Sequence, residues 1–171
     1  KPSKEQKGGG LSTYNTAICM VALHMVGRPE LVPAIQNARR FLAGTQHLGG
    51  DIYEGGMGYD PDTGRPYADL SNTILAYEAM RLTESVEDLK SGSGKKADLD
   101  WEAARGFLAK VQNLPGTNAG SWVSDDAKEK GGFIYRPDSS QAGTYTDESG
   151  VVRFRTYGSM TYAGLLSLIY A

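Results

Sequence analysis

The sequence predicts a mainly α chain built from stacked helix pairs, with a minor β excursion. The first observation behind this is an internal repeat. The stretches "TYNTAICMVALHMVG", "LSNTILAYEAMRLT" and "SMTYAGLLSLIYA" read as equivalent helices. Asn15-Thr16 falls on Asn72-Thr73, Ala22-Leu23 falls on Ala79-Met80, and Thr161 falls on Thr73 with Met160 in place of the asparagine. The second observation is a companion element. "NARRFLAGTQ" and "AARGFLAKVQ" place Phe41, Leu42 and Gln46 against Phe107, Leu108 and Gln112. The third is a diglycine and a tyrosine downstream of each companion, "GGMGYDPD" from Gly55 and "GGFIYRPD" from Gly131. Agreement across so many ordered positions marks a repeat architecture, in which amphipathic units bury their faces by stacking.

Each element has its own support. In "PELVPAIQNARRFLAGTQ", Ile35, Ala38, Phe41 and Leu42 recur at helical steps. Pro29 and Pro33 fit the first turn, where a missing N–H costs nothing. In "ADLDWEAARGFLAKVQ", Trp101, Ala104, Leu108 and Val111 form the stripe, with Phe107 beside it. Asp98 or Asp100 caps that helix, where acids also suit the dipole. Glycines after the FLxxxQ helix end it and admit positive φ. "ESVEDLKSGSGKKAD" reads as a polar, mobile surface connection. "RPDSSQAGTYTDESGVVRFRTYG" reads as a hairpin region, with arms expected at Phe133–Tyr135 and Val151–Phe154.

Composition removes several function classes. Of 171 residues, 40% are hydrophobic, enough for a core and against disorder. Eighteen basic against twenty acidic residues lack the clustered basic face of a nucleic-acid binder. No apolar run reaches the roughly 18 residues of a membrane span. The single cysteine, Cys19, makes no internal disulfide and no cysteine-rich zinc site. Among Ile18, Met20 and Val21 it reads as a buried small hydrophobe. The compartment stays open, a secreted or periplasmic parent included. The chain begins without Met or a signal-peptide pattern and ends inside an apolar helix without stop signals, so a fragment of a larger protein is expected.

The FLxxxQ…GG-x-x-Y arrangement resembles the repeat of the terpenoid cyclase and protein prenyltransferase superfamily, whose squalene–hopene cyclases carry a related Gln-and-Trp repeat. The resemblance runs from roughly Leu11 to Ala171. It implies an α/α toroid: a single domain over residues 11–171, part of a larger ring, after a flexible segment 1–10. Residues 131–156 form a loop or hairpin insertion. The implied partners are further helices of the same parent protein and an apolar small molecule or protein partner in a central cavity. A shared fold does not by itself assign an activity.

The residues themselves argue against the chemistry that the resemblance implies. Class II cyclases carry an Asp-x-Asp-Asp-Thr motif whose central Asp protonates the polyene. The similar stretch here is Asp69-Leu70-Ser71-Asn72-Thr73, with Ser71 at the donor position. A serine hydroxyl is far too weak an acid for that step. Prenyltransferases hold zinc on Asp, Cys and His, with the Cys shortly before the diglycine and the His in a Tyr-His-Thr stretch. "DIYEGG" and "KEKGG" lack that Cys, and Tyr14-Asn15-Thr16 puts Asn15 at the His. An amide is a poor zinc ligand, so no metal and no cofactor are expected.

Asp69 therefore reads first as an N-cap acceptor and second as an acid catalyst. Asn15 and Asn72 read as helix-start hydrogen-bonding groups or as ligand contacts. Tyr59, Arg65, Tyr67, Trp122, Tyr157 and Tyr162 are the further candidates for a cavity or ligand site; the tyrosines among them fall near repeat junctions, where aromatic walls suit apolar or sugar ligands. Trp122 covers a cavity mouth or plugs the core. His24 suits the end of its helix, and His47 stands isolated in the sequence. The leading reading is a prenyltransferase- and cyclase-like toroid without the usual catalytic residues. The alternatives are a squalene–hopene-type terpene cyclase using Asp69 or an acid from elsewhere, and a carbohydrate-active toroid lyase using the "YDPDTGRPYAD" cluster of Asp60, Asp62, Arg65 and Asp69.

Overall fold

A computed structural model describes residues 10–60, 68–89 and 95–171. Among the described residues five α-helices dominate: α1 (Ser12–Val26), α2 (Val32–Thr45), α3 (Leu70–Leu82), α4 (Trp101–Val111) and α5 (Gly158–Tyr170). A two-stranded antiparallel sheet, β1 (Thr144–Thr146) with β2 (Val152–Phe154), stands between α4 and α5. The chain is mainly α with a small β-hairpin.

Helix α3 packs between α1 and α5, while α2 lies against α1 and α4 against α5. Local chemistry sets the boundaries. Gly27 ends α1 at φ 69°, a left-handed conformation that glycine adopts without a Cβ penalty. Asp100 caps α4 by accepting the Ala103 N–H at 2.9 Å. A 3-10 turn at Pro29–Leu31 leads into α2, as the proline positions require.

The repeat is written into the hydrogen bonds. The Gly55 N–H donates to the His47 carbonyl, and the Gly131 N–H to the Asn113 carbonyl, both at 2.7 Å. Gly56 receives the N–H of His47, and Gly132 that of Asn113. The glutamine of each FLxxxQ helix closes the same loop: Gln46 Nε2 donates to the Gly55 carbonyl and Gln112 Nε2 to that of Gly131. Gly55 and Gly131 sit at φ 98° and 85°, as their positions predict. A Cβ on Gly55 would lie 1.9 Å from the Ala103 carbonyl oxygen, so close approach as well as φ demands glycine there.

Four expectations need correction. The first hairpin arm is Thr144–Thr146, not Phe133–Tyr135. Phe133 is engaged elsewhere: its N–H donates to Thr161 Oγ1, and its ring lies where a side chain on Gly164 would stand. The α2 stripe includes buried Arg39, while Phe41 sits at the edge of exposure. Arg39 donates to the Met80 carbonyl, Thr83 Oγ1 and the Ala97 carbonyl, and its Nε lies 3.3 Å from Glu87 Oε1. In the "ESVEDLKSGSGKKAD" connection, Glu84–Leu89 is a 3-10 helix holding buried Glu87, and 90–94 fall outside the described residues. Cys19 is exposed, because α1 turns that side away from α2 and α3.

Candidate binding site at the helix starts

The diglycine loops bring three helix starts side by side. The Met57 N–H donates to Thr73 Oγ1 at 2.9 Å, and the Tyr59 carbonyl accepts the Thr13 N–H at 3.1 Å. One loop thus ties the start of α3 to the start of α1. The second repeats the pattern one unit on. The Phe133 N–H donates to Thr161 Oγ1, and the Tyr135 carbonyl accepts the Leu70 N–H at 2.9 Å. Every tie uses a backbone group that a helix start would otherwise leave unpaired, or the hydroxyl one turn in.

This stitching sets Asp69 in place. It is the N-cap of α3, only 2% exposed, with its own N–H bound to the Met57 carbonyl. Among the described residues its carboxylate accepts three hydrogen bonds: Asn72 N–H at 2.9 Å, Asn72 Nδ2 at 2.8 Å and Ser71 Oγ at 2.6 Å. In this position the group acts as the N-cap acceptor of α3. The remaining Asn72 oxygen, Oδ1, is buried without a hydrogen-bond partner among the described residues.

Tyrosines stand around the carboxylate. The Tyr59 and Tyr135 hydroxyls meet at 3.1 Å. Burial, then the bond to Tyr59, then the Asp69 charge push the Tyr135 phenol well above its ordinary range. Burial and then Asp69 raise Tyr157, the N-cap residue of α5. Both phenols stay neutral at physiological pH and serve as hydrogen-bonding walls. Tyr135 is a member that the sequence does not nominate by composition. The alignment of the two GG-x-x-Y segments is the signal that points to it, since it falls on Tyr59.

The other candidates divide. Asn15 is exposed on α1, and none of the described residues stands to it as Asp69 stands to Asn72. Trp122 is buried and packs on Phe154 with ring centroids 5.6 Å apart, so it plugs the core beneath the hairpin. Tyr162 is 75% exposed on the far side of α5, away from the cluster. Arg65 and Tyr67 lie outside the described residues, as does Asp62 of the expected lyase cluster. His47 is not isolated: its Nε2 lies 2.9 Å from Asp51 Oδ1, and its ring meets Tyr53 edge-on.

A groove of about 150 Å³ runs between α1 and α3, lined by Ala17, Ile18, Val21, Leu75 and Glu78. Four of the five are aliphatic, and Glu78 supplies the one charge, accepting from the Tyr170 hydroxyl at 3.2 Å. Among the described residues no helix is long and apolar enough to cross a membrane.

No protein-family model matches the chain, and comparison with curated proteins and with solved structures returns no significant match.

Proposed function

We propose that the chain is a prenyltransferase- and squalene cyclase-like helical repeat domain, part of an α/α toroid, that binds an apolar ligand or partner in its central cavity without the zinc and proton-donor chemistry of the enzymes it resembles. The observation that carries this reading is the Asp69 carboxylate. Three hydrogen bonds converge on it, one of them from Ser71, the residue at the expected proton-donor position. A group so bound positions a helix start and its neighbours, the role of an N-cap. The aliphatic groove between α1 and α3 supports the apolar character of the ligand.

Incubation with squalene and polyprenyl diphosphates tests the reading. No product is expected, while a fluorescent polyprenyl probe binds saturably and Val21→Lys in the groove weakens that binding. Turnover that disappears in Asp69→Asn overturns it in favour of a terpene cyclase. That second reading has one observation on its side, the near-complete burial of Asp69 among Tyr135 and Tyr157. Enclosed carboxyl groups are common among catalytic acids, so the turnover assay decides between the two.

A further inference from the structure

The layer formed by α1, α3 and α5 is nearly free of formal charge. Helices α1 and α5 contain no Asp, Glu, Lys or Arg, and α3 contains only Glu78 and Arg81. The two differ in what they meet. The Arg81 guanidinium stacks on the Trp101 ring at 3.7 Å, its Nε donates to the Tyr170 carbonyl, and its Nη1 lies 3.6 Å from Glu84 Oε2. Glu78 instead lines the groove between α1 and α3, beside Ala17, Ile18, Val21 and Leu75.

Glu78 is half-buried, and among the described residues its carboxylate has one hydrogen-bond partner, the Tyr170 hydroxyl at 3.2 Å, and no cation. Burial, then the Glu78 charge, raise the Tyr170 phenol, so it stays protonated and donates. A phenol donates once, whereas a carboxylate accepts at about four sites, so most of its accepting capacity is left over. Aliphatic neighbours strip water from a carboxylate, and a cation brought to it offsets that cost. Size narrows the ligand further. At about 150 Å³ the groove is smaller than the roughly 300–1,000 Å³ pockets of drug-sized molecules, which suits one narrow chain better than fused rings.

We propose that this groove selects a small amphiphile with a single apolar chain and a primary ammonium end. The chain lies along Ala17, Ile18, Val21 and Leu75, and the ammonium donates to the Glu78 carboxylate. Phosphate and carboxylate ends are disfavoured by the same charge. The inference rests on reading the groove as the apolar-ligand site, and it names the ligand class that the site takes.

Titration with n-octylamine, 1-octanol and octyl phosphate at neutral pH tests it, read from the methyl resonances of Val21 and Leu75. The three probes share a chain and differ in the end group. The amine, charged at that pH, is expected to bind about three- to tenfold tighter than the alcohol, with the phosphate weakest. Glu78→Gln keeps an acceptor for Tyr170 and removes the charge, so the advantage of the amine should vanish. Tyr170→Phe removes the phenol and keeps the charge, so the advantage should persist, which a carboxylate serving only to tie α5 to α3 does not produce. Equal affinity for amine and alcohol, or an advantage that survives Glu78→Gln, overturns the ammonium preference and leaves the apolar groove standing. Saturable shifts with none of the three probes overturn the preference and the reading of the groove together.

Discussion

The Met57 N–H donates to the Thr73 hydroxyl at 2.9 Å, and the Phe133 N–H does the same to Thr161 at 3.2 Å. Thr16 occupies the same place on α1, where no described loop reaches it. Thr73→Val and Thr161→Val should each strand a main-chain donor, at a cost of about 1–3 kcal/mol. Thr16→Val should stay within about 0.5 kcal/mol of the parent. Urea denaturation of the three variants makes the comparison, and an equal cost at Thr16 would count against the assigned ties.

Asp69→Ala removes the acceptor for Asn72 N–H, Asn72 Nδ2 and Ser71 Oγ together. The expected loss is about 1–3 kcal/mol, since buried donors are left unpaired. Asp69→Asn keeps one acceptor oxygen and should lose less. Chemical denaturation monitored by circular dichroism ranks the two, and the reverse order would mean that the cap is not what Asp69 supplies.

Glycines separate by surroundings. At Gly55, φ is 98° and a Cβ would meet Ala103 and Ala104 backbone atoms between 1.9 and 2.9 Å. Gly55→Ala should prevent folding or remove more than about 3 kcal/mol. Gly106 lies within α4 with nothing near its absent Cβ. Gly106→Ala should stabilise by about 0.5–1 kcal/mol. Thermal melts distinguish these opposite signs.

Arg39 is a buried cation hydrogen-bonded to the end of α3 and the Ala97 carbonyl and ion-paired with Glu87. Arg39→Ala leaves Glu87 buried beside a void and should cost about 3–5 kcal/mol. Arg39→Met with Glu87→Gln removes both charges and should recover a large part of that loss. A double-mutant cycle by urea denaturation measures the coupling, and simple additivity of the two changes would refute it.

The hairpin turn should respond to acid. Asp147 accepts the Val151 and Ser149 N–H groups and pairs with Arg153 at 2.7 Å. The Val151 bond first, and then Arg153, hold its carboxyl below the ordinary carboxylate range. A depressed folded-state pKa gives stability that is present above the unfolded value and lost as pH falls through the folded value. The Val151 amide resonance should therefore hold steady at neutral pH and shift only below the usual aspartate range. A midpoint at or above that range contradicts the assignment.

Local preference along the chain is enough to say which segments repeat and which become helices. Periodic apolar spacing marks α2 and α4, Asp100 caps one of them, and the glycines at 55 and 131 mark left-handed turns. None of this requires knowing what lies across the chain. Even Asp69 is legible as a cap, because its helix begins at the next residue. Other features depend on contacts between distant segments. Phe133 leaves the expected strand because Thr161, on a distant helix, takes its N–H. Arg39 enters the core because the end of α3 and Glu87 offer it acceptors that no spacing announces. Tyr135 joins Asp69 because a diglycine loop from one repeat crosses to the helix start of the previous one. Cys19 and Tyr162 stay at the surface for the complementary reason: an apolar residue is buried only where a neighbour meets its face, and the packing of α1 and α5 against α3 leaves those faces open.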